Sequence, residues 1–504
     1  MFGALAIGYY QSMAAPEIDA FSRKTSIHLV GAKGTGMTAL AEILVSRGCM
    51  LSGSDVSDIF YTDSILASLG IPIALGFREE NVPSTCELVI HSAAYSADRN
   101  PELLEARRRG IPILSYPEAL GSLSRSYDSA GIAGVHGKTT TTALAGTIAS
   151  ALGLQATILA GSGVSSFGGR STLILGDSYL IAETCEYRRH FLHFSPHRIL
   201  VTSIEPDHQD CFPTYKDIFS AFTEYASSLP PGGALVYCAD EAGAKELAEW
   251  VRARRPDIGL IPYGEHADGP WKLESYVATE GRARFTVRGI ATVFELRVPG
   301  RHVALDAVGA LALCHEIARS DKALSGRLGS SSCTTALQQA LASFAGSKRR
   351  SELVGEAKGV IFLDDYGHHP TAIEKTILGI REFWPSRRLV VDFMSHTYSR
   401  TKALLDDFAA SLDLADELIL HGIYASAREA PDLEVSGLIL AEKARARAAI
   451  ARHSGRVHYF ESPLDAVEAV AALLHEGDLF LKIGAGDNWK IGVSLLDRLR
   501  LEGG

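Results

Sequence analysis

Gly134-Val135-His136-Gly137-Lys138-Thr139 is the segment whose residue types most directly define a chemistry. It follows an apolar run and opens a Thr-rich helical stretch, a setting in which backbone N–H groups and a helix N-terminus hold phosphate. Lys138 would neutralise the β and γ phosphates of a nucleotide, and the Thr139 hydroxyl would hold Mg²⁺. The loop is two residues shorter than GxxxxGK[ST], with Ile132 where that pattern has its first glycine. Such a site needs a second Mg²⁺ anchor at the tip of a neighbouring strand. Glu183 fits, because the apolar Tyr179-Leu180-Ile181-Ala182 leads straight into it; the alternative is an ordinary solvated carboxylate at a strand end. Asp207-His208-Gln209-Asp210 follows the next apolar run, RILVTSIE, and would add an imidazole and carboxylates to the same rim.

Three further clusters sit at strand ends. Gly31-Ala32-Lys33-Gly34-Thr35-Gly36 resembles a dinucleotide turn, with Asp55 at the end of the next strand, where an acid can bind a ribose hydroxyl. Lys33 stands where GxGxxG requires glycine, so the turn suits any diphosphate, with NAD as one option. Near the C-terminal end, Asp364-Asp365-Tyr366-Gly367-His368-His369-Pro370 and His396-Thr397-Tyr398-Ser399-Arg400 each join a strand to a helix. In open α/β sheets ligands collect at the carboxyl ends of strands, so both clusters are expected to face the Lys138 domain; structural caps would explain one of them as well.

The elements that must position these groups alternate apolar runs with amphipathic stretches, as βα units do. At 504 residues and 46% hydrophobic content, about three domains are expected. Residues 1–26 read as a leader without a fold, with Met13 an alternative start. Residues 27–125 form the first domain, with strands SIHLVG, CMLSGSD, CELVIHSAA and IPILS and a helix burying Met37, Leu40, Ala41 and Leu44. Residues 126–343 form the second, whose strands SYLIAE, RILVTSI and ALVYCAD give way after Trp250 to antiparallel hairpins; SGRLGSSSCTT reads as a loop between helices. Residues 344–504 form the third, with strands GVIFLDDY, RRLVVDFM, DELILHGI and DLFLKIGAG. The expected class is α/β: Rossmann-like first and third domains around a P-loop domain with a parallel sheet and a small antiparallel one. The charge of -10 argues against a nucleic-acid or membrane-surface protein. No apolar run approaches the roughly 18 to 20 residues that span a bilayer. The seven cysteines contain no CxxC pair, which favours a reducing compartment, the cytoplasm.

HLVGAKGTGMTALAEIL, SGSD, AGVHGKTTTTAL, PDHQD, PGRH, GSKRRSE, DDYGHHPTAIE, SHTYSRTKALLDDF, IYASARE and IGAGDN occur in the order in which the Mur ligase family carries such motifs, and the chain resembles that family from Ile27 to its end. The resemblance implies an N-terminal UDP-sugar domain, a central ATPase domain and a C-terminal domain that closes over ATP and receives an amino acid. It implies ATP and Mg²⁺ as cofactors, and small-molecule substrates, UDP-N-acetylmuramate and L-alanine, in a monomer or homodimer. Gly134, His136, Gly137, Lys138, Thr139 and Thr140 would bind ATP with Arg350 and Asp365, while Thr139, Glu183 and His208 would hold metal. Lys138, Glu183, His208, Arg350 and His368 would be catalytic. Gly31, Lys33, Gly34, Thr35, Gly36, Asp55 and Ser92 would meet the UDP-sugar, and Tyr366, His396 and Arg400 the amino acid.

Three departures stand out. The family's EADESD is Glu183-Thr184-Cys185-Glu186-Tyr187-Arg188, the asparagines after PGRH are Val303 and Asp306, and PHRYSR is Ser395-His396-Thr397-Tyr398-Ser399-Arg400. They leave open a ligase for another amino acid or a peptide, and a catalytically silent UDP-sugar-binding homologue.

Overall fold

The strand that carries the Lys138 loop, Asp128–Ala133, is the fourth of seven in the largest sheet of the computed structural model, which describes residues 21, 23–96, 98–425, 429, 432–451 and 456–501. Across that sheet the strands run Gly259–Tyr263, Ala234–Cys238, Arg198–Val201, Asp128–Ala133, Tyr179–Glu183, Ala156–Leu159 and Thr172–Ile174, parallel except for the last. Its central strands are buried on both faces, which is why they read as unbroken apolar runs. One face is covered by helices Lys138–Leu152, Arg301–Ser320 and Ser331–Ser343, which also meet the antiparallel sheet Leu273–Thr279, Arg282–Val287 and Ile290–Leu296.

The first domain is a five-stranded parallel sheet in the order Ile73–Leu75, Met50–Asp55, Ser26–Val30, Leu88–His91, Ile113–Ser115. The third has six strands: Glu352–Ala357, Val360–Asp365, Leu479–Ile483, Leu389–Phe393, Glu417–His421 and Arg456–Phe460, the first pair antiparallel and the rest parallel. Among the described residues no helix is long and apolar enough to cross a membrane. Residues 1–20 of the expected leader lie outside the described residues, whereas Phe21 is buried in the first core.

Several elements differ from the sequence reading for identifiable reasons. Five of the unread strands, Ile73–Leu75, Thr172–Ile174, Gly259–Tyr263, Glu352–Ala357 and Arg456–Phe460, are sheet edges, and the sixth, Ala156–Leu159, is next to one. Edges are half-exposed and carry no long apolar run. The loop read in SGRLGSSSCTT stops at Ser330, whose hydroxyl accepts from Cys333 N at 3.3 Å and starts helix Ser331–Ser343.

The helix Thr35–Ser46 is buried from Met37 through Leu44, not along one face only. Its second face docks on the middle domain, where Glu42 pairs with Arg170 at 2.5 Å and accepts from the Thr172 hydroxyl. A single hydrophobic cluster accordingly runs from the first sheet into the middle one, through Leu120, Leu123, Phe191 and Phe194. Gly121 lets these two domains touch, since a Cβ there would lie 2.1 Å from the His193 carbonyl oxygen. Gly121→Ala should therefore push helix Tyr116–Ser124 off the middle domain and cost about 1 to 3 kcal/mol, read as a lower urea midpoint and faster proteolysis between the two domains; an unchanged midpoint would contradict this packing.

Candidate functional site

Two left-handed glycines shape the phosphate-type loop, Gly134 at φ 138° and Gly137 at φ 79°. Neither could carry a side chain: a Cβ would lie 2.0 Å from Thr202 Oγ1 at Gly134 and 2.7 Å from Asp306 Oδ1 at Gly137. Gly137 caps the fifteen-residue helix Lys138–Leu152, so the first-turn N–H groups of Lys138, Thr139 and Thr140 stand at its positive end. Lys138 Nζ reaches both oxygens of Glu186, at 2.9 and 3.1 Å, and also donates to Gly134 O. Glu186 is almost wholly enclosed. Burial would raise its carboxyl pKa, but Lys138 and His208 outweigh burial and hold it below the ordinary range; burial would lower Lys138, and Glu186 reverses that too.

Glu186 was not singled out by sequence, although it repeats the Glu183 carboxylate three residues on. Glu183 itself ends strand Tyr179–Glu183 and accepts from Gly161 N at 2.7 Å. His208 Nε2 lies 3.4 Å from Glu186 Oε1. Thr139, Glu183, Glu186 and His208 line one cavity of about 240 Å³ together with Lys138 and His136. The hydroxyl and carboxylate oxygens on its wall are the hard donors that Mg²⁺ takes.

The third domain supplies the facing wall. Arg350, Asp365 and His368 line the same cavity. The Asp365 carboxylate accepts from Ser351 N and Gly367 N, both at 2.7 Å, and so ties the inter-domain segment to the loop it precedes. The guanidinium of Arg350 lies over the Tyr366 ring, 5.2 Å from its centroid. Tyr366, His368 and His396 form a row of rings 5.2 and 6.4 Å apart. His368 is driven well below the ordinary imidazole range, by burial first and Arg400 second. Arg400 does not stand free: its guanidinium meets Asp207 of the middle domain at 2.8 Å, both nearly buried, and holds that carboxyl far below its usual range against the opposing effect of burial. Thr371 to Glu205 at 3.2 Å and Lys375 to Glu241 at 2.6 Å cross the same seam.

The residues read in the first-domain turn lie apart from this cavity. Lys33 Nζ meets Asp63 Oδ1 at 3.0 Å and donates to Asp58 O at 2.8 Å. Asp55 accepts from Lys33 N at 2.7 Å and from the Tyr95 hydroxyl at 3.2 Å. Ser92 packs beside Gly31, which lies beneath the Tyr95 ring. Gly34 precedes the helix that Thr35 and Gly36 begin, and Gly36 lies under the Tyr116 ring. Gly36 and Tyr116 open a second cavity, of about 140 Å³, which runs past Leu120 and Phe191 to Glu183 and Cys185. Those two residues also line the first cavity. The two chambers therefore meet at the tip of strand Tyr179–Glu183.

Three domain descriptions of one family match the chain: the Mur ligase family catalytic domain over residues 26–128, the Mur ligase middle domain over 132–314 and the Mur ligase glutamate ligase domain over 349–486. The UDP-N-acetylmuramate--L-alanine ligase of Treponema pallidum is 49% identical over 94% of this chain and 97% of its own length. The chain belongs to the Mur ligase family. The enzyme of the same name from Borreliella afzelii is 38% identical, over 93% of this chain and 98% of its own. The crystal structure of UDP-N-acetylmuramate-alanine ligase from Thermotoga maritima superposes with a TM-score of 0.74 at 24% identity, covering 95% of this chain and 99% of that one, and shows the same three-domain fold.

One departure from the Mur ligase pattern has a visible physical consequence. Asp306, in place of an asparagine, is enclosed against Gly137 and Glu241, and burial first, with Glu241 adding, pushes its carboxyl up to about 8. A neutral carboxylic acid both donates and accepts a hydrogen bond, as an amide does. Because the folded protein holds this proton where an unfolded chain has lost it, Asp306 stabilises the fold least above its own pKa. Between about pH 4 and about pH 8 the wild type should lose stability relative to Asp306→Asn, by up to a few kcal/mol, and the difference should level off above that. Paired urea titrations across that range measure the difference, and a gap independent of pH would show that Asp306 is charged throughout.

Proposed function

We propose that this chain joins L-alanine to the lactyl carboxylate of UDP-N-acetylmuramate at the expense of ATP, releasing ADP and phosphate, in the cytoplasmic assembly of peptidoglycan precursors. The meeting of two cavities at Glu183 carries this reading: one is lined by the phosphate-type loop, and the other opens beside the first-domain glycine turn. The named relatives, similar along almost their whole length, support it.

A carboxylate and an ammonium do not condense in water, because oxide is a poor leaving group and the ammonium has no free electron pair. Phosphorylation of the lactyl carboxylate by ATP supplies a better leaving group. Lys138 would exchange Glu186 for phosphate oxygens and offset the charge that develops during in-line transfer. Thr139, Glu183 and His208 would hold Mg²⁺, which neutralises phosphate charge when bound. His368, kept neutral by burial and by Arg400, is placed to accept the proton of the incoming ammonium. Attack of the free amine on the acyl phosphate forms the amide and expels phosphate. Arg400 would hold the amino-acid carboxylate with the N–H groups it does not spend on Asp207, and His396 and Tyr366 would close the pocket around a small side chain. The cross-domain contacts keep water from the acyl phosphate.

Phosphate release from ATP, Mg²⁺ and UDP-N-acetylmuramate should require an amino acid, with L-alanine preferred over glycine and serine in a panel; release indifferent to the sugar or to the amino acid would defeat the proposal. Lys138→Ala should slow turnover about a hundredfold or more and, by stranding buried Glu186, cost about 3 to 5 kcal/mol of stability. Adding Glu186→Gln should restore the melting temperature and leave turnover lost, which separates the catalytic role from the structural one. Arg400→Ala should raise the KM for alanine by roughly 30- to 150-fold while barely moving that for ATP. If both KM values rise together, Arg400 is only a strut between domains.

A further inference from the structure

His136 gives its backbone to the phosphate loop, while its imidazole has a different neighbourhood. Its Nε2 lies 2.9 Å from Glu205 Oε1, and its ring centroid is 5.2 Å from that of His369, across the seam between the middle and third domains. One nitrogen from each imidazole and one Glu205 oxygen all fall within 4.8 Å of one another. The three come from separate segments: the loop after strand Asp128–Ala133, the loop after strand Arg198–Val201, and the residue before helix Pro370–Phe383.

His369 is about nine-tenths buried, and its Nδ1 has no hydrogen-bond partner. It makes no capping hydrogen bond to the helix it precedes, so helix formation does not explain it. A buried imidazole with an unpartnered nitrogen, beside a second imidazole and a carboxylate, is a grouping that a cation would satisfy.

We propose that His136, Glu205 and His369 form a binding site for a first-row transition ion, Zn²⁺ above all, separate from the Mg²⁺ that accompanies ATP. Two imidazoles and one carboxylate are a donor set that Zn²⁺ accepts, whereas Mg²⁺ prefers oxygen alone. In a tetrahedron with bonds of about 2.1 Å, ligand atoms stand about 3.4 Å apart. The His136–Glu205 pair, at 2.9 Å, is already closer than that, and no gap in the group exceeds 4.8 Å. The remaining position faces the cavity that His136 and His369 line, open to water or a phosphate oxygen. Thr371 donates to the other Glu205 oxygen at 3.2 Å and so fixes the carboxylate from outside the site. An ion held here would pin the third domain against the phosphate loop.

The site can be tested without reference to ligase activity, by titrating the metal-free full chain with Zn²⁺ alone and, separately, with Co²⁺ as a visible probe. One Zn²⁺ per chain is expected, with the intense visible bands of tetrahedral Co²⁺. His369→Ala and Glu205→Gln should each weaken Zn²⁺ binding at least about tenfold, since loss of an outer-shell partner alone costs about 10- to 100-fold, and should abolish the tetrahedral bands. His475→Ala, at an exposed histidine elsewhere, should change neither. Melting curves of the metal-free variants verify that each is folded; His369→Gln replaces any variant that is not. Failure of the wild type to take up Zn²⁺, equal affinity in wild type and site variants, or a six-coordinate Co²⁺ spectrum would each overturn the assignment.

Discussion

An ammonium group sealed at the tip of a central strand must be neutralised, and in this chain one carboxylate does it. Lys138 sits inside its own loop because Gly134 and Gly137 take backbone conformations that turn the chain back over it, and Glu186 closes the pair from the neighbouring strand end. Neither charge is tolerable there alone. The pair therefore fixes the spacing between the loop and the segment that follows strand Tyr179–Glu183, and with it the positions of Glu183 and His208. Under the proposed function, phosphate oxygens would take the place of Glu186 at Lys138.

The two domain seams differ in their share of polar contacts. The first is fused to the middle one through a shared apolar cluster, the buried helix Thr35–Ser46 and a glycine contact at Gly121. The third meets the middle domain through polar pairs, Arg400–Asp207, Lys375–Glu241 and Thr371–Glu205, around a cavity, and through Phe383 and Trp384, which pack into the middle domain's apolar cluster. Its connecting segment carries Gly346, Arg349 and Ser351 at positive φ, a conformation that costs energy at the two non-glycine positions.

The Lys138 loop, the Glu183 strand end and the three-domain α/β layout were legible in the sequence because each has a local signature: a glycine turn between strand and helix, or an apolar run ending in a carboxylate. Edge strands such as Glu352–Ala357 and Arg456–Phe460 were not, since half of each strand faces solvent and no periodicity separates it from a loop. The pairing of Lys33 with Asp63 was not legible either, since a long side chain can reach a partner that its place among glycines does not reveal.

What the sequence by itself determined is chemistry that neighbours in the chain can provide: a helix N-terminus with a lysine, a strand-end acid, and the order of motifs that places the chain among the Mur ligases. Which charges meet is decided only by folding. Glu186 with Lys138, Asp207 with Arg400, and His136 with Glu205 and His369 are separated by 48, 193 and up to 233 residues. Their pairing depends on sheet order and on how the third domain rests against the second, because an electrostatic partner is selected by distance in space and by the loss of water around it.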